Sequence, residues 1–301
     1  MLPIVHHPDF VAPLRAGHRF PMSKYGYLRE ALIERGLLED GGWLTPRAAD
    51  PAMLARAHDQ GYVERIFSET LRDTEIRRIG LPQTERVRRR SRLACAGTLL
   101  AARFAMERGI ACNTAGGSHH ARFEYGAGYC VFNDVAVAIR SLQREGGART
   151  ICIIDCDVHQ GDGTAMIFAD DPGVFTFSIH AQANYPFSKA SSDLDIGLSD
   201  GIRDAAYLKA LEGGLARVAQ EGPFDLAFYN AGVDVYEHDR LGRLSLSEDG
   251  IRQRDAMVFV WALSQGTPIV GVLGGGYDEN LRHLAARHAI MFEEAARAIH
   301  R

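Results

Sequence analysis

The sequence predicts an α/β protein in three layers (α/β/α), a central parallel sheet covered by helices on both faces. Three observations predict it. Five short apolar runs recur between residues 110 and 273. Helix-length stretches separate most of them, the pattern of parallel strands joined by helical crossovers. Each run is followed at its carboxyl end by a polar cluster, and open parallel sheets bind ligands at that edge.

Taken in order, residues 23–36, 60–72 and 86–109 read as helices with mixed apolar and charged positions. Strands are expected at 110–114, 150–154, 174–179, 225–229 and 268–273, since short apolar runs bounded by turn signals fit buried strands. The helices between them fall at 132–146, 162–171, 204–220 and 247–266, and a last one at 278–300. No repeat, low-complexity segment or composition break interrupts the chain, so a single domain over 1–301 is expected. The one basic run, Arg86 to Arg92, reads as a solvated helix face.

Composition narrows the function. A formal net charge of -4 provides no global basic field to draw nucleic acid or anionic lipid. No uninterrupted apolar stretch is long enough to span a bilayer. The start, Met1-Leu-Pro-Ile-Val-His-His-Pro8, lacks the basic and apolar regions of a secretory leader. The five cysteines, Cys95, Cys112, Cys130, Cys152 and Cys156, are odd in number and form no C-x-x-C. Buried free thiols in a reducing cytoplasm are the expectation.

The segment from Ile151 to Gly163 is the most informative. Its apolar strand ends in Asp155, Asp157 and His159 at alternating positions, and residues two apart in extended chain point the same way. Gathering such groups is costly unless something cationic binds them. Asp157, His159 and the distant Asp234 form a plausible three-ligand set with room for water, as in catalytic zinc sites. Carboxylate-rich sites also suit Fe²⁺ or Mn²⁺. His119 and His120 follow a glycine pair after the first strand, and adjacent histidines at the carboxylate edge favour proton transfer. Asp155 and Asp162 remain to accept imidazole N–H groups, fixing tautomers. The loop Gly274-Gly-Gly-Tyr277 lacks the signature of a phosphate cradle. It reads as a mobile loop that brings the Tyr277 hydroxyl to a developing oxyanion.

Together these motifs resemble the histone deacetylase superfamily, which includes acetylpolyamine amidohydrolases and acetoin-utilisation proteins. The resemblance rests on 116–121, 126–134, 153–163, 177–180, 232–242 and 273–277, about half the chain. His18-Arg-Phe-Pro-Met-Ser-Lys-Tyr25 and Asp157-Val-His159-Gln-Gly161 look most like the class IV branch and its bacterial relatives. It implies the arginase–deacetylase fold and assigns a catalytic Zn²⁺, with Fe²⁺ as the alternative, to Asp157, His159 and Asp234. His120 is implied as general base and acid, His119 as its electrostatic partner. Asp162 is implied to pair with His120, Asp155 with His119, and Tyr277 to bind the scissile carbonyl oxygen. A structural K⁺ is implied at Asp155 and Ser178. Gly128, Tyr129, Tyr185 and Gly275 are implied as the walls of an acyl-lysine tunnel. The rim aspartate of the class I branch has no clear counterpart, and 182–195 departs from that branch's pattern.

The expected activity is therefore removal of an acyl group from an amine, with Nε-acyl-lysine ahead of acetylpolyamine or another small acyl-amine. Two rival activities share part of this pattern. A dimanganese ureohydrolase needs further carboxylates where Gly161 and Gly232 stand. A non-catalytic acyl-lysine binding module is expected to have lost Tyr277 or a histidine, and all are present.

Overall fold

The computed structural model describes residues 1–300. Seven strands form one sheet: β1 (Ile4–Val5), β2 (Ile110–Asn113), β3 (Ile151–Asp155), β4 (Val174–Ala181), β5 (Leu194–Leu198), β6 (Leu226–Asn230) and β7 (Ile269–Val272). All neighbouring pairs are parallel, in the order β1-β2-β7-β6-β3-β4-β5. The expected α/β class with a parallel sheet is what the chain forms.

The helices are α1 (Lys24–Glu34), α2 (Pro51–Leu54), α3 (Gln60–Phe67), α4 (Asp73–Ile79), α5 (Glu85–Arg108), α6 (Asp134–Glu145), α7 (Asp162–Phe168), α8 (Asp204–Glu221), α9 (Glu248–Ser264) and α10 (Leu281–Ile299). α5 packs on α6 and α6 on α7, while α8, α9, α10 and α1 pack in succession. Crossovers of one hand place chains running in opposite directions along the sheet on opposite faces. Helices thus cover both faces, and β2, β3, β6 and β7 are buried at every residue. That is why they read as unbroken apolar runs. Each fully buried Ile, Leu or Val contributes about 1.5–3 kcal/mol of burial.

Chain direction along the sheet reverses at β3. From β3 it runs outward to β4 and β5, then returns to β6 on the other flank of β3. Such a switch point opens a crevice beyond the carboxyl ends of the two strands. Here the crevice lies between Asp155 and Asn230, which are register partners.

Several local expectations differ from the structure. β1 was missed because two residues carry no periodic signal, and β5 because Leu-Asp-Ile-Gly-Leu is a half-exposed edge strand. The expected helix 60–72 ends at Phe67, and α4 begins anew at Asp73. The expected 162–171 ends at Phe168. The basic run is not a solvated face: Arg88 and Arg90 are buried. Arg90 donates Nε to the Phe10 carbonyl at 3.0 Å and lies over the Tyr25 ring, while Arg89 pairs with Asp9 at 2.6 Å. These arginines clamp the N-terminal segment onto α5. All five cysteines are free and buried, as expected.

Candidate active site

Four loops at the carboxyl edge of the sheet build the site. The loop after β2 carries His119 and His120. Asp134, at the start of α6, pins it by accepting the Ser118 N–H (2.8 Å), the Gly117 N–H (3.3 Å) and the Thr98 hydroxyl (2.6 Å). The loop after β3 carries Asp157, His159 and, opening α7, Asp162. Those after β6 and β7 carry Asp234 and Tyr277.

Asp157, His159 and Asp234 converge. Each offers one ligand atom, all within 4.8 Å of one another, and all three residues are buried. His159 Nδ1 lies 3.0 Å from Asp157 Oδ1 and 3.2 Å from Asp234 Oδ2. Nitrogen and oxygen atoms bound tetrahedrally to one ion stand about 3.3 Å apart, so the spacing fits a shared cation. Asp234 Oδ2 is buried without a hydrogen-bond partner among the described residues. An unpartnered buried carboxylate oxygen is costly, and a cation removes that cost. Electrostatics agree. Burial lowers the His159 pKa, but the hydrogen bond to Asp157 and the close negative charge of Asp157 and Asp234 outweigh it and push it up to about 10. Burial, then Asp157, pushes Asp234 up. The centre calls for positive charge. Two carboxylates and an imidazole suit Zn²⁺ or Fe²⁺, and no thiolate takes part.

The histidine pair stands beside this set. His119 Nδ1 meets Asp155 Oδ2 at 2.7 Å, and His120 Nδ1 meets Asp162 Oδ1 at 2.7 Å. Their Nε2 atoms lie 3.1 Å apart. Two cations cannot sit so close, and the surroundings split them. Burial lowers the pKa of His119, but Asp155 and Asp157 outweigh it and push it up to about 9. Burial, then the charge of His119, pushes His120 down to about 4. Split pKa values mark acid and base roles: His119 is charged and His120 neutral near pH 7. With Nδ1–H donated to Asp162, the His120 Nε2 carries the lone pair, which here accepts the Nε2–H of His119 at 3.1 Å and takes a proton from another donor when that contact opens.

Tyr277 is 9% exposed. Its ring lies 6.4 Å from that of His159, 6.1 Å from Tyr129 and 6.4 Å from Phe20. Burial, then Asp234 and Asp157, pushes its phenol well above the usual value, so it stays a proton donor. Its backbone N–H is held by Asp239 Oδ2 at 2.7 Å. The loop before it passes against the carboxylates: Gly275 N–H donates to Asp157 Oδ2 at 2.6 Å, and a Cβ there would strike Asp234 Oδ2. Buried Lys24 holds the same loop, donating to the Gly274 carbonyl at 3.2 Å.

Three of the four expected tunnel residues line a cavity of ≈ 490 Å³ whose lining also includes His120, His159 and Tyr277. Gly128, Tyr129 and Tyr185 are in its lining, and the Tyr185 ring meets that of His120 edge-on at 4.9 Å. Gly275 lies deeper, in a cavity of ≈ 30 Å³ beneath the histidines. Tyr129 is held at φ 66°, an uncommon value for an aromatic residue. Its N–H donates to the Ile79 carbonyl at 2.7 Å, which fixes the ring at the wall.

Asp155 and Ser178 are register partners on β3 and β4. The Ser178 hydroxyl also meets His180 Nδ1 at 2.9 Å. His180 follows the strand expected at 174–179. It lies inside β4, turned to Ser178, and is not among the converging ligands.

Three supporting residues have a role here that the sequence did not assign. Arg122 grips Asp162 Oδ2 through Nη2 (2.7 Å) and Nε (3.2 Å). Asn230 donates to Asp155 Oδ1 at 2.9 Å. Arg254, fully buried on α9, donates to the carbonyls of Gly232 (2.6 Å) and Cys156 (3.3 Å) and pairs with Asp255. It ties together the two loops that carry the ligands. Asn230 and Arg122 stand within or beside the motifs, which was a usable signal. A lone arginine on a helix gives none.

Comparison with known proteins agrees with this geometry. Residues 18–292 match the histone deacetylase domain. The chain is 45% identical over 293 residues to an uncharacterized protein of Picosynechococcus, covering 97% of this chain and 98% of that one. It is 32% identical to histone deacetylase 2 of Arabidopsis thaliana, covering 89% of this chain and 72% of that one. To the acetoin utilization protein AcuC of Bacillus subtilis it is 29% identical, covering 87% and 73%. Among solved structures, the HDA15 HD domain matches with a TM-score of 0.80 at 21% identity, over 98% of this chain and 90% of that one. This likeness shows the fold, that of the arginase–deacetylase group.

Proposed function

From the premise that the chain belongs to the histone deacetylase family, and is thereby a hydrolase of amide bonds, we propose that it is a zinc-dependent lysine deacylase. The observation that carries the reading is the meeting of three ion ligands with a histidine pair whose pKa values are split. Asp157, His159 and Asp234 would hold the ion, Zn²⁺ or in its place Fe²⁺. When bound, such an ion acidifies water and polarises a carbonyl oxygen.

The chain's own groups do the rest. Tyr129 and Tyr185 flank the acyl-lysine stem, with the backbone of Gly128 and Gly275 leaving it room. His120 Nε2 takes a proton from the attacking water, and its Nδ1–H stays on Asp162 throughout. The Tyr277 phenol donates to the carbonyl oxygen as charge gathers there. Charged His119, held by Asp155, favours that developing negative charge. His120 then returns its proton to the amine as the C–N bond breaks, leaving a carboxylic acid and an amine that part as carboxylate and ammonium. A structural K⁺ would sit by Asp155 and Ser178.

A two-manganese ureohydrolase fits poorly. A side chain at position 161 would strike the Asp155 carboxylate, and one at 232 the Asp157 carboxylate. The binding-module reading leaves His120, Asp162 and Tyr277 without a purpose. Five buried free thiols support a reducing, cytoplasmic setting. Among the described residues no helix is long and apolar enough to cross a membrane.

The test is turnover of acyl-lysine peptides of rising chain length beside acetylpolyamines, before and after chelation. Chelator-sensitive release of carboxylate from a peptide is expected. Turnover of acetylpolyamines alone, or activity indifferent to chelation, would overturn the reading.

A further inference from the structure

The tunnel mouth has a sign opposite to that of the whole protein. The chain carries a formal net charge of -4. Yet Arg19, Arg77, Arg78 and Arg243 line the ≈ 490 Å³ mouth, and no aspartate or glutamate does. A second cavity of ≈ 570 Å³ shares Arg77 and Gly80 with the mouth and adds Arg15, again without a carboxylate. All five arginines are exposed. Arg15, Arg19 and Arg77 form no ion pair among the described residues. The nearby Asp200 and Glu279 are already engaged with Arg243 (3.1 Å) and Arg240 (3.2 Å). The Arg78 guanidinium rests on the Tyr125 ring at 4.3 Å, which fixes its place and leaves its donors free.

Resting on the deacylase reading, we propose that this rim selects the substrate: an acyl-lysine within an acidic peptide segment. Guanidinium groups bind carboxylates through paired N–H donors. Like-charge contact at an interface is costly, so a polyamine, cationic along its length, meets the wrong field. The adjoining cavity, which shares Arg77 and Gly80 with the mouth, adds surface for the residues that flank the acyl-lysine in a peptide. Its apolar lining by Leu14, Ile76 and Leu81 suits aliphatic residues among the acidic ones. The arginines supply the orienting contacts to the segment that flanks the acyl-lysine.

The experiment uses the full chain loaded with its metal and three acetyl-lysine peptides of one length, flanked by acidic, neutral or basic residues. At low ionic strength kcat/KM for the acidic peptide should exceed that for the basic one by about tenfold, mostly through KM. The advantage should shrink as salt is raised, since exposed charges are screened within about 10 Å at 0.1 M. In Arg77→Glu/Arg78→Glu the acidic-to-basic ratio within one preparation should fall to unity or invert. Equal turnover of the three peptides by the native protein, or an acidic preference untouched by salt, overturns the proposal even if that variant fails to fold. If no peptide is hydrolysed, the deacylase reading fails instead. Fluorescence anisotropy of the same labelled peptides then tests the rim alone, and equal binding of acidic and basic peptides rejects it. A competing RNA oligonucleotide that binds more tightly than the acidic peptide rejects it as well.

Discussion

Replacing Tyr277 by phenylalanine removes one hydroxyl and little else. The ring keeps its neighbours Phe20, Tyr129 and His159 at 5–7 Å, the range of favourable aromatic contact. The backbone N–H keeps Asp239, so the loop should hold its course. Burial and the two nearby carboxylates keep the phenol protonated, which means the native group acts as a donor over the whole working pH range. Loss of one oxyanion donor costs about 10²–10³ in kcat, roughly 3–4 kcal/mol. Stopped assays on an acetyl-lysine peptide should therefore show kcat falling at least a hundredfold, with a smaller change in KM. Ion content and thermal midpoint should stay near those of the native protein. Retention of more than about a third of native kcat would refute the assignment, because that loss is too small for an oxyanion donor. A fall in stability with turnover per folded molecule intact would mark Tyr277 as a packing residue.

His120→Ala should abolish turnover and keep the ion, since His120 is not among the converging ligands; loss of the ion from folded protein contradicts this. The native pH profile should be bell-shaped around neutrality. Its acid limb reflects protonation of His120, pushed down to about 4, and its basic limb loss of the His119 charge, pushed up to about 9. A cation beside Asp157 weakens that carboxylate's hold and draws the basic limb toward neutrality. Arg254→Met strands Asp255 in the core and frees two carbonyls, so stability should drop by about 3–5 kcal/mol and ion retention should weaken about tenfold or more, read by denaturant unfolding and elemental analysis. His58 is locked neutral, its Nδ1–H on the Arg122 carbonyl and its Nε2 accepting the Asn133 N–H, and burial pushes it down to about 4. The unfolded chain protonates first as pH falls, so about 3 kcal/mol present above pH 6.5 is lost between 6.5 and 4. His58→Gln should lessen the fall of the denaturant midpoint over that window without removing it, because His6 and His180 are also pushed down to about 4 by burial.

The strands β3, β6 and β7 were legible because burial on both faces leaves a run of apolar residues that nothing else in the chain imitates. The edge strand β5 was not, because half its residues face water. The convergence of Asp157, His159 and Asp234 was legible for a related reason: topology places the ends of parallel strands together, so motifs 75 residues apart in sequence can be read as neighbours. The His119–Asp155 and His120–Asp162 pairing came only through family resemblance, since spacing alone leaves either aspartate open to either imidazole. Arg88, Arg90 and Arg254 were misread or unseen for the opposite reason. Arg90 and Arg254 are held by carbonyls far away in sequence, and Arg88 by the Gln83 carbonyl and the Glu69 carboxylate, partners that no helical pattern records. The basic mouth was equally hidden: Arg19, Arg77 and Arg243 come from three distant segments, and their likeness of sign appears only when the chain folds.

The central claim, that one divalent ion held by Asp157, His159 and Asp234 supports deacylation, meets its most direct test in titration of metal-stripped protein with Zn²⁺. Acetyl-lysine turnover should rise linearly and break at about one ion per chain, with Asp157→Ala and Asp234→Ala neither retaining the ion nor recovering activity. A break at two ions, recovery in either variant, or hydrolysis of a guanidino substrate instead would contradict the account.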